Sequence, residues 1–563
     1  MPKLAALLLT AALTLFLAAC GGDDSDSPTT SSTPATTAAS PATTTAAAPD
    51  EGFSEDDWPL TGRNRENQRY APQTEINKDT IDRLGMAWSN NFGGDQYLQT
   101  ALPVVVDGVL YVTTSTNEVY AFDGATGETK WKYTPQVDFT LSSGVGGYGV
   151  VNNRGVSVAD GKVYLLTYDG KLKGISANTG EELFTSQVID PSTGAYENMQ
   201  PQVYDGKVYV GSSGSDQGVR GFVAAYDGET GKQLWRWYTI PKVGEGWRAK
   251  GTAGGTVYMA PTIDTQNGNV VFGTASPAPT IDGSNRPGPN LYTSSVVALK
   301  ADTGELVWYH QESPHDLWGY DAASPVILAD VDIDGETRRV ATQAGKNGYL
   351  YMLDAKTGEE VHPALALSKQ AHSKPTRKGS LQCPGPIGGS QLDPKAYSPR
   401  TQAEYVTSIE FCFLLQVSDD KTAEGAYGGK RVVPSDAKPF GRFDAVDLKT
   451  GKFLWRKKMP TPMAGGAVAT ASDLVFTIDQ KGVMYAFDAT NGDEVWKANL
   501  GLAGAAAPIV YSVDGKEYIA ATIGGSALTS SNKFGPVGSA IVVLTLDGKP
   551  IVPQEPTAAP DEE

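Results

Sequence analysis

Histidine and cysteine are sparse in this chain, with 4 and 3 residues, and they follow none of the common motif spacings. No metal-site spacing is present among its four histidines: His310, His315, His362 and His372. The sequence contains no Cys-x-x-Cys-His stretch, so no covalent c-type haem is predicted. It also lacks a P-loop, a Rossmann glycine motif and a nucleophile elbow. The elements that would bring distant residues together therefore decide which chemistry is possible.

The first residues are typical of an export signal. A lysine at position 3 supplies positive charge, and residues 5–17 form an apolar stretch too short for a stable membrane span. The stretch Leu17-Ala-Ala-Cys20 resembles a bacterial lipobox, which predicts a lipoprotein signal peptide over 1–19 and lipidation of Cys20. An ordinary secretory cleavage site is the alternative. We expect a lipid-anchored protein on the extracytoplasmic face of the cell membrane.

Composition separates two terminal segments from the rest of the chain. Residues 20–56 are rich in Ser, Thr, Pro and Ala, cannot bury a core and are predicted to be a disordered linker. Residues 551–563 are predicted to be an acidic disordered tail. The net charge of −18 argues against a nucleic-acid partner, because phosphate contacts require a basic surface.

The three cysteines suggest one disulfide. Lipidation of Cys20 would leave Cys383 and Cys412, and an exported protein meets an oxidising compartment. We predict that these two residues are bonded to each other. Two separate free thiols are the alternative.

A recurring phrase, Asp-x-x-Thr-Gly-x-x-x-Trp, predicts the fold. It runs from Asp123 to Trp131 and returns at 227–235, 447–455 and 488–496, with looser copies at 176–184, 300–308 and 354–362. Alternating apolar residues before each phrase predict a strand, Asp and Gly predict a tight turn, and the aromatic residue should begin the next strand and pack between sheets. Such a period indicates repeated units of about four antiparallel strands.

These units predict an all-β fold, an eight-bladed β-propeller over residues 57–550, because radial sheets leave few exposed edges. Seven phrases and a last strand pair near Ile519 and Ala540 give eight blades, the last closed by an N-terminal strand near Met86. An open β-solenoid or two sandwiches are the alternatives.

Several stretches together resemble one family, the pyrroloquinoline-quinone-dependent alcohol dehydrogenases, which are eight-bladed quinoproteins. The resemblance covers nearly all of the chain after the linker. The stretches that carry it are Trp58-Pro-Leu-Thr-Gly-Arg63, Asn153-Arg154-Gly155, Gly214-Ser-Asp216-Gln-Gly218-Val-Arg220-Gly221, Phe272-Gly-Thr-Ala-Ser276-Pro-Ala-Pro279, His315-Asp316-Leu-Trp318-Gly319-Tyr-Asp321, Lys346-Asn347-Gly348 and the segment bounded by Cys383 and Cys412.

The resemblance implies a site on the propeller axis. Arg154 and Lys346 match cations that bind the quinone, although a structural salt bridge inside the tunnel is the alternative. Tyr258 stands where a stacking Trp is expected. The implied cofactors are pyrroloquinoline quinone and a metal ion, Ca²⁺ or a lanthanide, which polarises the quinone carbonyl beside a carboxylate base.

The implied metal ligands differ from the family pattern. Asp216 replaces a Glu and shortens its reach by one methylene, and it is implied to contact the cofactor as well. Ser276 replaces a ligand Asn with a weaker oxygen donor. Asp321 is the third implied ligand.

Gly319 occupies the position of the family's catalytic Asp, so the usual base is missing. Asp321 is the substitute we predict, with Asp316 as support; a turn Asp without catalytic role is the alternative. Ala464 lies where the family has a polar contact.

Two functions therefore follow. The first is a membrane-anchored quinoprotein dehydrogenase that oxidises an alcohol or a sugar-like hydroxyl substrate and passes electrons to a cytochrome c or a membrane quinone. The second, motivated by Gly319, Ser276 and Ala464, is a non-catalytic propeller that serves as a binding or assembly scaffold.

Overall fold

The computed structural model describes residues 53–93, 98–139, 151–242, 244, 247, 253–418, 428–525 and 535–555. Its regular structure is almost entirely β-strand. The helices found there are 3-10 turns of 3 residues, and none is long and apolar enough to cross a membrane. The predicted signal peptide, Cys20 and most of the predicted linker lie outside these residues, as does most of the predicted tail.

The strands are, in chain order, β1 (Tyr70–Ala71), β2 (Leu84–Asn91), β3 (Val104–Val106), β4 (Val109–Thr113), β5 (Val119–Asp123), β6 (Thr129–Tyr133), β7 (Ser157–Ala159), β8 (Lys162–Leu166), β9 (Lys171–Ser176), β10 (Glu182–Gln187), β11 (Gln202–Tyr204), β12 (Lys207–Val210), β13 (Phe222–Asp227), β14 (Gln233–Tyr238), β15 (Thr262–Asp264), β16 (Asn269–Gly273), β17 (Ser295–Lys300), β18 (Leu306–Gln311), β19 (Ile327–Ile333), β20 (Glu336–Ala344), β21 (Tyr349–Asp354), β22 (Glu360–Ala366), β23 (Ser380–Gln382), β24 (Ala396–Ser398), β25 (Ala403–Glu410), β26 (Phe413–Val417), β27 (Gly429–Val432), β28 (Phe440–Asp447), β29 (Lys452–Met459), β30 (Ala467–Thr470), β31 (Leu474–Ile478), β32 (Val483–Asp488), β33 (Glu494–Asn499), β34 (Ile509–Val513), β35 (Lys516–Ile523) and β36 (Ala540–Leu546).

Eight antiparallel sheets follow one another along the chain. They consist of β3–β6, β7–β10, β11–β14, β15–β18, β19–β22, then β24, β25, β28 and β29, then β30–β33, and finally β34, β35, β36 and β2. Strand β2 pairs with β36, so a strand near the N-terminal end of the chain closes the last sheet, as predicted. The two-residue strand β1 extends the seventh sheet by pairing in parallel with β30.

The sheets close into a ring. The innermost strands lie side by side from one sheet to the next, for example β3 beside β7 and β30 beside β34. The last sheet meets the first where the Tyr511 hydroxyl donates a hydrogen bond to the Gly124 carbonyl, with 2.7 Å between the oxygens. The prediction of an eight-bladed propeller of four-stranded blades is confirmed.

The repeated phrase works as a joint between neighbouring sheets. In the first sheet, the Asp123 carboxylate accepts hydrogen bonds from the Thr126 amide and hydroxyl, both at 3.0 Å, and so closes the turn. The Trp131 indole then donates to the Ala177 carbonyl of the second sheet at 2.9 Å, while its ring covers Gly180 of the next turn. Gly180 has φ +74°, and an added Cβ would meet the ring, so this turn requires glycine.

His362 takes the place of a Trp in this series. Its Nε2 lies 3.0 Å from the Lys449 carbonyl of the following sheet, and its ring lies against Gly451 as the indoles lie against other turn glycines. The histidine therefore has a packing role in the ring, as its position in the repeat indicates.

A three-stranded sheet made of β23, β26 and β27 is inserted around the sixth blade. The disulfide between Cys383 and Cys412 joins its segments. The predicted pairing is confirmed, and the alternative of two free thiols is wrong.

The segment that precedes β1 lies inside the ring. Arg69 is fully buried, and its guanidinium donates to three backbone carbonyls, those of Thr61, Ala467 and Pro508. Backbone hydrogen bonds also join the segment to innermost strands of six blades, at Val105, Val158, Ile263, Leu328, Tyr397 and Ala469. The segment 58–70 therefore packs in the core of the ring and connects blades that lie far apart in the sequence.

Candidate active site

One cavity contains all the residues that were predicted to bind the cofactor or the metal. Its lining includes Arg154, Asp216, Tyr258, Ser276, Asp321 and Lys346. Gly319 and Ala464 line the same cavity. The four charged residues that we expected to converge therefore share one space.

The strand order explains why these residues meet. Loops that lead into an innermost strand carry Arg154, Tyr258 and Asp321. Loops between the second and third strands of a blade carry Asp216, Ser276 and Lys346. Since successive strands are antiparallel, both kinds of loop lie at the same end of the ring, whereas the turns of the repeated phrase lie at the other end.

Asp321 is the centre of the hydrogen-bond network in the cavity. Its Oδ2 accepts from the Tyr258 hydroxyl at 2.7 Å and forms an ion pair with the Lys346 Nζ at 2.5 Å. Its Oδ1 accepts from the Ser276 amide at 2.7 Å. Both carboxylate oxygens are thus held in place by donors from three different loops.

These contacts decide the charge of Asp321. Burial alone would raise the pKa of this carboxyl, but the Lys346 ammonium and the hydrogen bonds outweigh burial and hold the pKa below its ordinary value. Asp321 is therefore ionised at neutral pH. Burial and the neighbouring carboxylate raise the pKa of the Tyr258 phenol well above its usual range, so Tyr258 is a neutral donor.

The Arg154 guanidinium lies over the aromatic ring of Tyr258, and both residues line the cavity. The guanidinium carbon lies 5.4 Å from the centre of the phenol ring, and Arg154 is buried. Burial lowers the pKa of Arg154, yet a guanidinium remains charged in proteins. An aromatic face next to a buried cation suits a planar anionic ligand.

Asp216 lies in the 3-10 turn Ser215–Gln217, between glycines with left-handed backbones, Gly214 at φ +101° and Gly218 at φ +84°. The Thr280 hydroxyl lies 3.5 Å from its Oδ1. This turn presents the carboxylate to the cavity that also contains Asp321 and Ser276.

Gly319 leaves the cavity without the carboxylate that the family pattern would place there. Its backbone has φ +81°, and an added Cβ would meet only the Thr280 methyl at 3.2 Å and Pro386 at 3.8 Å. Asp316 is buried and accepts from the Trp318 and Tyr320 amides, each at 2.9 Å. Asp316 therefore stabilises the backbone of the loop. It is absent from the cavity lining, so its predicted support of Asp321 is indirect.

Asp393 also lines the cavity, although no motif of the sequence pointed to it. It is buried, and its Oδ2 has no hydrogen-bond partner. The available signal was that Asp393 stands directly before Pro394 and two positions from Lys395, which is also charged and buried.

The residues present fit an acidic planar quinone and a hard cation. Arg154 and Lys346 supply positive charge, and Asp216, Ser276 and Asp321 supply oxygen donors. Within the described part of the chain, no group of three or more His, Cys, Asp or Glu side chains could hold a metal alone. A metal here would share its coordination with the cofactor.

Comparison with known proteins identifies the family of the chain. The model of the β-propeller domain of PQQ-dependent glucose, ethanol and alcohol dehydrogenases matches residues 58–368 and 364–519. The chain is 33% identical over 555 residues to the quinohemoprotein alcohol dehydrogenase of Comamonas testosteroni, across 88% of this chain and 77% of that protein.

Two solved structures share the fold. The quinohemoprotein alcohol dehydrogenase ADHIIG of Pseudomonas putida HK5 superposes with a TM-score of 0.82 at 30% identity, covering 90% of this chain and 82% of its own. A europium-containing methanol dehydrogenase superposes with a TM-score of 0.77 at 26% identity, covering 88% and 98%. The chain therefore belongs to the PQQ-dependent β-propeller family of glucose, ethanol and alcohol dehydrogenases.

Proposed function

We propose that this protein is a membrane-anchored, extracytoplasmic quinoprotein dehydrogenase that oxidises an alcohol or a sugar-like hydroxyl compound. One observation carries the proposal: Arg154, Tyr258, Asp321 and Lys346 line a single cavity with the oxygen donors Asp216 and Ser276. Cations, an aromatic face and carboxylates are together what a bound acidic quinone and its metal need.

Each side chain then has a role toward the cofactors. Arg154 and Lys346 neutralise the acidic quinone, and Tyr258 offers it an aromatic face. Asp216, Ser276 and Asp321 donate oxygens to Ca²⁺ or to a lanthanide, the metal class named for the europium-containing relative. When bound, the quinone would supply a hydride acceptor for the substrate alcohol, and the metal would supply Lewis-acid polarisation.

Asp321 is the base we propose in place of the missing side chain at Gly319. Its ionised state leaves it able to accept the hydroxyl proton of the substrate. Its low pKa makes it a weak base, because a base works best when its pKa lies near the working pH. We therefore expect slow turnover.

The oxidation also needs an electron acceptor. The Comamonas relative is named a quinohemoprotein, whereas this sequence contains no Cys-x-x-Cys-His stretch. We propose a cytochrome c or a membrane quinone as acceptor, with the lipidated Cys20 keeping the propeller at the membrane. Replacing Cys20 with Ser should release the protein from the membrane fraction; retention there would contradict the anchor.

Reconstitution tests the activity. The purified chain is loaded with pyrroloquinoline quinone and either Ca²⁺ or La³⁺, and dye reduction is followed with a panel of primary alcohols, secondary alcohols and sugars. We expect alcohol-dependent dye reduction that needs both quinone and metal. No reduction with any substrate, despite bound quinone, would favour the scaffold function that Gly319, Ser276 and Ala464 suggest.

Two variants separate binding from chemistry. Asp321→Ala should abolish turnover, since it removes a metal ligand and the only proposed base. Lys346→Ala should weaken quinone binding by about tenfold or more, because it deletes a partly buried cation next to an acidic ligand. Wild-type rates and affinities in both variants would contradict this assignment of the site.

A further inference from the structure

Asp393 is a cavity-lining acid to which the proposed reaction gives no role. It is 7% exposed, and its Oδ2 is shielded from water and accepts no hydrogen bond. A buried ionised oxygen without a partner is strongly unfavourable, more so than a buried neutral polar atom. The side chain is therefore expected either to hold a proton or to meet a ligand that pairs with it.

The charges around Asp393 form a small buried group. Two cations act on its carboxyl, Lys395 and Arg154. Lys395 is itself buried, and its Nζ donates to the Thr407 hydroxyl at 3.1 Å. A second buried acid, Glu404, also acts on Lys395. Lys395 is thus shared by two acids.

An acidic cofactor changes this balance. Arg154 is the cation proposed to neutralise the quinone, so a bound quinone would take over part of the charge that now offsets Asp393. The quinone also brings carboxylates of its own into the cavity. An ionised Asp393 would then face added negative charge, whereas a protonated Asp393 would offer a hydrogen-bond donor to it.

We propose that Asp393 is a cofactor-binding residue that takes up a proton from solvent when the quinone binds and donates a hydrogen bond to a carboxylate of that quinone. This rests on the proposed function, because it requires an acidic quinone in the cavity. Burial raises the pKa of Asp393, and Lys395 and Arg154 oppose this only in part, which agrees with a carboxyl that gains a proton easily.

The consequence is a pH-dependent affinity. Because the bound state holds one more proton than the free state, affinity should fall as pH rises above the pKa of free Asp393, by up to about tenfold per pH unit. Asp393→Asn should lose this slope, since the amide always donates and never titrates. At alkaline pH the variant should bind more tightly than the wild type.

Calorimetric titration of the metal-loaded protein with pyrroloquinoline quinone, at fixed saturating Ca²⁺ and from about pH 5.5 to about pH 8.5, tests this. Repeating it in two buffers of different ionisation enthalpy counts the protons taken up. We expect about one proton per quinone for the wild type on the alkaline side and about none for Asp393→Asn.

Glu404→Gln is the matched control. Glu404 is buried, has an unpaired Oε2, and burial raises its pKa to about 7, yet it is absent from the cavity lining. This variant should keep the proton uptake and the slope of the wild type. The inference is overturned if the wild type binds quinone without proton uptake, or if Asp393→Asn keeps the wild-type slope. Failure of the wild type to bind quinone at any pH would instead defeat the proposed function itself.

Discussion

At the scale of single residues, Asp321 and Gly319 decide how the cavity can act. The sequence motif identified both positions, because their neighbours Trp318 and Asp316 fix the register of the match. It did not reveal that Asp321 is held by donors from three loops, since those contacts exist only after distant segments meet. Asp393 was missed for the same reason.

Restoring a carboxylate at position 319 should increase the activity. Gly319→Asp is expected to raise kcat/KM for a primary alcohol by at least about tenfold, because a positioned general base contributes about 10²–10⁴-fold. Within 4 Å, a Cβ added at Gly319 would meet only Thr280 and Pro386, and Asp tolerates the left-handed backbone better than most residues. The rate is measured on quinone-loaded, Ca²⁺-loaded protein.

Gly319→Asn is the control for this substitution. It has nearly the same size and backbone tolerance as Asp but cannot accept a proton as a base. An equal rate increase in both variants would mean that the carboxylate is not the cause, and no increase in Gly319→Asp would show that Asp321 already suffices or that the site is inactive.

At the scale of strands and turns, the repeat phrase predicted most of the fold. Its Asp, Gly and Trp residues have structural roles that depend only on the adjacent turn, so these roles can be predicted from the local sequence. The inserted sheet of β23, β26 and β27 and the parallel pairing of β1 were not predicted, since each depends on contacts with strands far away in sequence.

The contact that the repeated phrase makes between the fourth and fifth blades offers a direct test of its role in stability. A Cβ at Gly358, where φ is +75°, would lie 2.5 Å from the Trp308 ring, and that ring is held by its hydrogen bond to the Ala355 carbonyl. Gly358→Ala should therefore lower the free energy of unfolding by about 3 kcal/mol, as backbone strain and overpacking add. Urea denaturation followed by tryptophan fluorescence measures the loss.

Gly335→Ala in the same blade is the matched control. Gly335 also has a left-handed backbone, at φ +85°, but an added Cβ would meet nothing within 4 Å. Its cost should be about 1 kcal/mol, from the backbone alone. Equal losses in the two variants would show that the contact with Trp308 contributes nothing.

At the scale of the whole molecule, the residues that stabilise the ring lie apart from the residues that line the site. The repeated turns lie at one end and the site loops at the other, so the repeat can be regular while the site residues diverge. Regular strands repeat with a period that the sequence shows, so the scaffold was predicted in detail. The loops at the axis have no such period, so the chemistry was predicted only through matched motifs.

The buried segment 58–70 should contribute to the stability of the entire ring. Arg69→Met would leave three buried carbonyl oxygens without their donor and is expected to cost about 3 kcal/mol or more. Thermal melting should show one lowered transition instead of a local change. Arg83→Met removes only an exposed ion pair with Asp547 and should leave the melting temperature unchanged; an equal drop in both would contradict the role of the segment.

The central claim is that the cavity at the ring axis binds an acidic quinone through its own cations. The most direct measurement is a fluorescence titration of the metal-loaded wild-type chain with pyrroloquinoline quinone, beside Lys346→Ala. We predict saturation at one quinone per chain for the wild type and clearly weaker binding for the variant. Absence of saturable binding by the wild type, or equal binding by the variant, would contradict the account.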